Sequence, residues 1–110
     1  MIEETIARIE ARLKSAESLS DGNRKELQAL LATLKDELQA LSRTDADQAR
    51  SIAGFVELTT HEATREEKQP ELLQHSMRGL ESSVYGLEAK HPKLTELVNS
   101  FCMLLSNTGI

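Results

Sequence analysis

Residues 73–105, LQHSMRGLESSVYGLEAKHPKLTELVNSFCMLL, decide the fold. Apolar side chains recur in this stretch at alternating steps of four and three residues, which is the spacing of one face of an α-helix. They are Leu73, Met77, Leu80, Val84 and Leu87, followed in the same phase by Leu94, Val98, Phe101 and Leu105. We predict that this C-terminal stripe forms the core or the subunit interface of an all-α protein.

Two prolines divide the C-terminal half into helices. Pro70 suits the first turn of a fourth helix, because its missing N–H needs no partner there. Pro92 follows His91 inside the stripe, where proline either kinks a helix or ends it. The preserved phase permits a kinked helix, but we favour a break with Pro92 opening a fifth helix. We interpret Gly109-Ile110 as a helix stop, with Gly109 left-handed and Ile110 folding back near Leu105.

The N-terminal half carries two more amphipathic helices. The first is marked by Ile2, Ile6, Ile9 and Leu13, and the second by Leu27, Leu31, Leu34, Leu38 and Leu41 at heptad spacing. The polar turn at 18–23 separates them, and Ser20, Asp21 or Asn23 is a suitable N-cap for the second. We predict an antiparallel hairpin over residues 1–43, although both helices would equally satisfy an oligomer seam.

Residues 44–110 form the C-terminal region of the same single domain. Thr44 followed by Asp47 resembles a capping arrangement that would start a third helix. Its face has mostly small side chains, namely Ala46, Ala49, Ala53, Val56, Thr60 and Ala63, with Ile52 alongside. Small side chains bury little area, and Gly54 weakens a helix further. We expect this helix to be the most adaptable of four to five amphipathic helices in a coiled-coil-like bundle.

Small residues also border the fourth helix's apolar stripe. Ser76, Gly79, Ser83 and Gly86 recur at steps of three and four residues. Glycine inside a helix is costly, so we expect the missing side chains to admit another helix backbone. The third helix and a symmetry mate are both candidates, and the alternative is that these are tolerated surface glycines.

Composition excludes several classes of protein. The net charge of −5 argues against nucleic-acid binding, which depends on clustered Lys and Arg. One cysteine, Cys102, cannot form an internal disulfide and fits a reducing compartment. The sequence lacks a signal-like N-terminus and any apolar run near the roughly 18 residues of a membrane span. We expect a cytoplasmic protein with no membrane contact.

The stretch His61-Glu62-Ala63-Thr64-Arg65-Glu66-Glu67-Lys68 is the densest in polar side chains. It begins like a helical zinc motif, but Arg65 stands where the second histidine is needed, so we expect no metal. On a helix, His61, Glu62 and Arg65 would form either a site for an anionic ligand or an exposed salt-bridge network. We favour the network.

No catalytic constellation stands out in the sequence. His75 and His91 are isolated, and Cys102 has apolar neighbours that raise a thiol's pKa rather than activate it. We interpret Cys102 as a buried structural residue, with an intersubunit contact as the alternative. We find neither a Gly-x-Ser-x-Gly elbow nor a phosphate-binding glycine loop, so we expect no enzyme activity and no cofactor.

The segments 61–68 (HEATREEK) and 91–94 (HPKL), together with the closing Gly109-Ile110, resemble a family of small bacterial helical proteins containing a domain of unknown function. The resemblance covers most of the chain and is more specific in the C-terminal half. It implies a small, helical, cytoplasmic protein and implies no activity, cofactor or catalytic residue.

These observations together favour a non-enzymatic interaction or scaffold module. We expect it to self-associate as a homodimer or higher homo-oligomer through its C-terminal helices, with the N-terminal heptad helices as a further candidate surface. An unknown protein partner is a further expectation. The alternative is a regulatory protein that responds to a small ligand at a polar site near His61 and Arg65.

Overall fold

A computed structural model describes residues 2–108 of the chain. It contains five α-helices: α1 (Ile2–Ser15), α2 (Asp21–Ser42), α3 (Ala46–Thr64), α4 (Pro70–Val84) and α5 (Pro92–Thr108). Within these residues there is no β-strand. The prediction of an all-α helical bundle is therefore confirmed, whereas the proposed helix stop at Gly109-Ile110 lies outside the described residues.

The helix starts follow local rules of capping. Ser20 caps α2, since its hydroxyl accepts a hydrogen bond from the backbone N–H of Asn23 at 3.1 Å. Pro70 and Pro92 are the first residues of α4 and α5, as predicted. The predicted start of α3 is wrong by one residue. Asp45 is its cap and accepts from the N–H of Gln48 at 3.1 Å.

Thr44 belongs to the end of α2 instead of the start of α3. Its hydroxyl donates to the carbonyl of Leu41 at 3.1 Å, and its backbone N–H donates to the same carbonyl at 3.0 Å. The last carbonyls of a helix lack partners within it, so Thr44 satisfies one of them. The neighbouring Asp45 is then left to cap α3.

Helix α4 ends earlier than the C-terminal stripe suggests. Tyr85 leaves the helical conformation, with φ −61° and ψ 130°, and Gly86 follows with φ +87°. A positive φ favours glycine, so Gly86 serves the turn and not a small-residue face of the helix. Leu87 therefore lies beyond α4, and its inclusion in that helix was wrong.

Helices α1 and α2 form the predicted antiparallel hairpin. At one end, the Arg24 guanidinium donates to the carbonyls of Leu13 and Lys14. At the other, the Gln39 amide donates to the Glu3 carboxylate at 3.5 Å. The leucine stripe of α2 is buried inside the single chain and does not form an oligomer seam.

Helix α3 contacts all four other helices. Its buried apolar side chains are Ala49, Ile52, Ala53, Val56 and Ala63, while Ala46 is exposed. Small side chains let neighbouring helices approach from several directions, so the helix that we expected to be the most adaptable is the centre of the bundle. Its buried threonines bond within the helix, for example Thr60 to the carbonyl of Val56 at 2.7 Å.

Residues of the C-terminal stripe lie in the core of one chain. Two of them, Met77 and Leu87, are half-buried and pack against the core. The others are buried: Leu73, Leu80, Val84, Leu94, Val98, Phe101 and Leu105. These side chains are already covered by the chain's own helices. A contact between two copies therefore has to use a different surface.

The small residues of α4 do admit a neighbour from α3. A Cβ added at Gly79 would lie 2.7 Å from Cδ1 of the Phe55 ring, so the ring occupies the space that glycine leaves. The guest is an aromatic side chain and not the helix backbone that we expected. Ser76 and Ser83 are buried on the same helix, and their hydroxyls donate to carbonyls of α4 at 2.8 and 2.6 Å.

Candidate interaction surface

The structure brings the three residues of the predicted polar site together at the end of α3. Glu62 is only 6% exposed, and its carboxylate accepts from Nη1 of Arg65 at 2.9 Å. Nε2 of His61 lies 3.9 Å from the same carboxylate, and the His61 side chain is 49% exposed. Helix α3 ends at Thr64, so Arg65 makes this contact from just beyond the helix. The Arg65 guanidinium therefore supplies both a hydrogen bond and an opposite charge to the buried carboxylate of Glu62.

Further cations surround a recess of about 340 Å³ near the ends of α1 and α3, where Arg12, Arg65 and Lys68 lie with Glu17 and Glu66. Two of the cations bind the chain itself. Nε of Arg12 donates to the Thr64 hydroxyl at 2.9 Å, and the Lys68 ammonium donates to the carbonyl of Ala63.

These cations lie at helix C-termini, which carry partial negative charge. Cations near such ends stabilise the helices, and an anionic ligand would enter against the same field. The geometry therefore favours a structural role for His61, Glu62 and Arg65. The predicted salt-bridge network is present, but it is centred on a buried carboxylate and is not wholly exposed.

Cys102 is buried in α5 and packs in the core. Burial raises the pKa of its thiol to about 11, and the nearby negative charge of Glu81 acts in the same direction. A protonated thiol at neutral pH is a poor nucleophile and a poor metal ligand. Both its position and its ionisation favour the structural interpretation over an intersubunit contact.

Residues 2–108 contain neither a cluster of metal-ligating side chains nor a membrane-spanning helix. Over residues 2–108, His, Cys, Asp and Glu side chains do not gather in groups of three that would hold a metal ion. None of the helices in that range combines the length and apolar character needed to cross a bilayer.

An apolar groove runs between α2 and α5, with a volume of about 570 Å³. Glu26 is the one charged residue among those that line it, and Met103 at its edge is 68% exposed. The other lining residues are Ala29, Leu30, Thr33, Ser100, Leu104 and Asn107. By contrast, the groove between α1 and α2 contains Glu10, Lys14, Lys35 and Asp36. The α2/α5 groove is therefore a strip with a single charged lining residue on a protein whose surface is otherwise rich in charge.

The solvent face of α2 lies between this groove and the α1/α2 groove, since Ala29 lines the first while Ala32 and Asp36 line the second. It carries Lys25, Ala29, Ala32 and Asp36, all exposed and spaced four, three and four residues apart. This outer face lies on the opposite side of the helix from the buried leucines. Lys25 and Asp36 make neither an ion pair nor a side-chain hydrogen bond with residues of the described chain.

Sequence reasoning missed both features. The spacing of the leucines drew attention to one side of α2, although the 25-29-32-36 pattern on the other side has the same rhythm. The run Phe101 to Leu105 is apolar around most of a helix, which is typical of a helix contacted from more than one side. In the single chain Met103 is left without such a contact.

Comparisons with known proteins add no independent lead. No family model, no curated protein and no solved structure matches this chain. The resemblance to small bacterial helical proteins therefore stays a prediction, and the function has to be inferred from the geometry of the chain itself.

Proposed function

We propose that this protein is a non-enzymatic helical interaction module that self-associates as a homodimer through α2 and α5. The exposure of Met103 beside the α2/α5 groove is the observation that carries the proposal. Large apolar side chains on a groove with little charge are typical of the central part of protein interfaces. A second copy of the chain is the occupant that we assign to it.

Charge supports this choice of surface. Each copy carries a net charge of −5, so two copies repel each other at long range. The repulsion is smallest where the contacting surfaces carry few charges. The α2/α5 groove, with Glu26 as its one charged lining residue, meets this requirement better than the α1/α2 groove.

Apolar burial supplies the attraction. Complete burial of a methionine side chain contributes about 1.5–3 kcal/mol, and a symmetric dimer buries Met103 twice. Methionine is also flexible enough to fill an irregular partner surface. The attraction is limited in extent, because the groove and the outer face of α2 are short.

The size of the surface sets the strength of the dimer. A standard interface covers about 800 Å² on each partner, against 6502 Å² of exposed surface on the whole chain. The residues that line the groove span only 26–33 of α2 and 100–107 of α5, so the contact is short. We therefore expect a reversible dimer that forms at micromolar concentrations.

The state of the ionisable side chains supports a role without catalysis. The buried carboxylate of Glu62 is paired with Arg65, and the Cys102 thiol stays protonated at neutral pH. Single buried thiols suit a reducing compartment, so we propose that the module acts in the cytoplasm.

Analytical ultracentrifugation of Met103→Asp tests this function. A carboxylate in the groove should leave the protein monomeric at concentrations where the unmodified chain dimerises, with the same helical circular dichroism. Leu72→Asp is the matched control, because Leu72 is 47% exposed on α4, away from the groove. Equal dimerisation of both variants would exclude this surface, and a dimer lost in Leu72→Asp but kept in Met103→Asp would place the contact on α4 instead.

A further inference from the structure

We infer that the dimer is built on an antiparallel pairing of α2 with α2 of the second copy, with the twofold axis passing between Leu30 and Leu31. This inference rests on the proposed self-association and specifies its register. It follows from the order of charges and small side chains along the outer face of α2.

The outer face of α2 is self-complementary. Lys25, Ala29, Ala32 and Asp36 lie within about 60° of arc around the helix, since successive residues are rotated by roughly 100°. With the axis between Leu30 and Leu31, Ala29 lies opposite Ala32 of the second copy. Lys25 lies opposite Asp36 of the second copy. The symmetric contact repeats each of these pairs.

The alanines permit a close contact between the helices. Helix axes approach to about 8 Å where the side chains between them are small. At that separation Lys25 reaches the carboxylate opposite it on the second copy. Both Lys25 and Asp36 are exposed and lack a partner within the described chain, so the ion pairs cost no existing contact.

The α2/α5 groove agrees with the same axis. A twofold axis perpendicular to α2 leaves α5 of both copies on the same side of the α2 pair. Met103 lines the groove beside Ala29 and Leu30, which are close to the axis along α2. The two copies of Met103 therefore lie on the same side of the α2 pair, close to the axis along the length of α2.

Other arrangements bring like charges together. A parallel pairing places Lys25 opposite Lys25 and Asp36 opposite Asp36. An antiparallel pairing shifted by one heptad toward the C-terminus places Lys25 opposite Arg43. Like charges held opposite one another destabilise a helix pair, so the register centred between Leu30 and Leu31 is favoured over these two arrangements.

Charge reversal with complementation tests the register. Lys25→Glu and Asp36→Lys should each raise the dimer dissociation constant about tenfold or more, because each replaces two attractive pairs by two repulsive ones. An equimolar mixture of the two variants should form a heterodimer with nearly the original affinity. In that heterodimer every pair across the interface again has opposite charges.

Matched controls separate pairing from net charge. Lys90→Glu and Glu88→Lys change the charge by the same amounts at exposed positions between α4 and α5, and both should leave the dissociation constant unchanged. A misfolded variant would not be rescued by mixing, so recovery of affinity supports the direct pairing.

Two results overturn the inference in distinguishable ways. If the unmodified chain dimerises but the reversals have no effect, or mixing restores nothing, the register is wrong while self-association stands. If the unmodified chain is monomeric throughout the micromolar range, both the register and the proposed function fail.

Discussion

Gly79 of α4 and Phe55 of α3 occupy one shared space, in which the aromatic ring fills the position of the glycine's missing side chain. The contact joins two helices that run antiparallel, as the hydrogen bond from the Gln48 amide to the carbonyl of Ser83 also shows. Because α3 contacts every other helix, the way α4 lies on it affects the whole bundle.

Gly79→Ala should therefore destabilise the fold. The new methyl group overlaps the Phe55 ring, and relief requires the ring to leave a packed position, at a cost of about 1–3 kcal/mol. Gly54→Ala is the control, since a Cβ there meets nothing within 4 Å. That substitution should stabilise α3 by about 0.5–1 kcal/mol. Urea denaturation measures the free energy of unfolding of both variants. Equal stabilisation by the two substitutions would show that the Phe55 ring moves aside at no cost.

Arg65→Ala should destabilise the protein by about 1–2 kcal/mol, because it leaves the buried carboxylate of Glu62 without its guanidinium partner. Solvent reaches Arg65, which keeps the effect below that of a fully buried pair. Glu66→Ala, at an exposed neighbour, should change the free energy of unfolding by less than about 0.5 kcal/mol. Equal melting temperatures for the two variants would show that the buried carboxylate of Glu62 does not need Arg65.

Cys102 should make stability depend on pH in the alkaline range. Its thiol pKa rises from an ordinary value of 9.0 to about 11 in the fold, so the unfolded chain releases its proton first. Between these two values the unfolded state binds fewer protons than the folded state, and the free energy of unfolding falls as pH rises. The stabilisation is complete below pH 9.0.

Comparison with Cys102→Ala isolates the contribution of this thiol from the contributions of all other groups. Denaturation curves across the alkaline range should show a shallower fall for the variant, whatever its stability at neutral pH. Parallel pH profiles for the two proteins would mean that the thiol ionises equally in both states.

Much of the fold follows from local rules that sequence makes visible. The leucine spacing of α2 and the two prolines that open α4 and α5 depend on nearby residues, and they were predicted correctly. The end of α4 was not, because the stripe continues to Leu87 although Gly86 turns the chain. An apolar period alone does not show where the backbone leaves the helix.

Long-range packing limited the other predictions. Whether a helix is central or peripheral depends on its neighbours in the fold. The small residues of α3 suggested an adaptable helix, whereas in the structure they allow other helices to pack closely against it. The clustering of Glu62 and Arg65 was visible from spacing, but the burial of Glu62 was not. The outer face of α2 became a candidate contact surface only once the structure showed that the leucines on the other side of the helix face the core.

Sedimentation equilibrium of the unmodified chain across micromolar concentrations measures self-association itself. A reversible homodimer should give an apparent mass that rises from 12.2 kDa toward twice that value as concentration increases. An apparent mass that stays at 12.2 kDa at every concentration, with the helical signal intact, would contradict it.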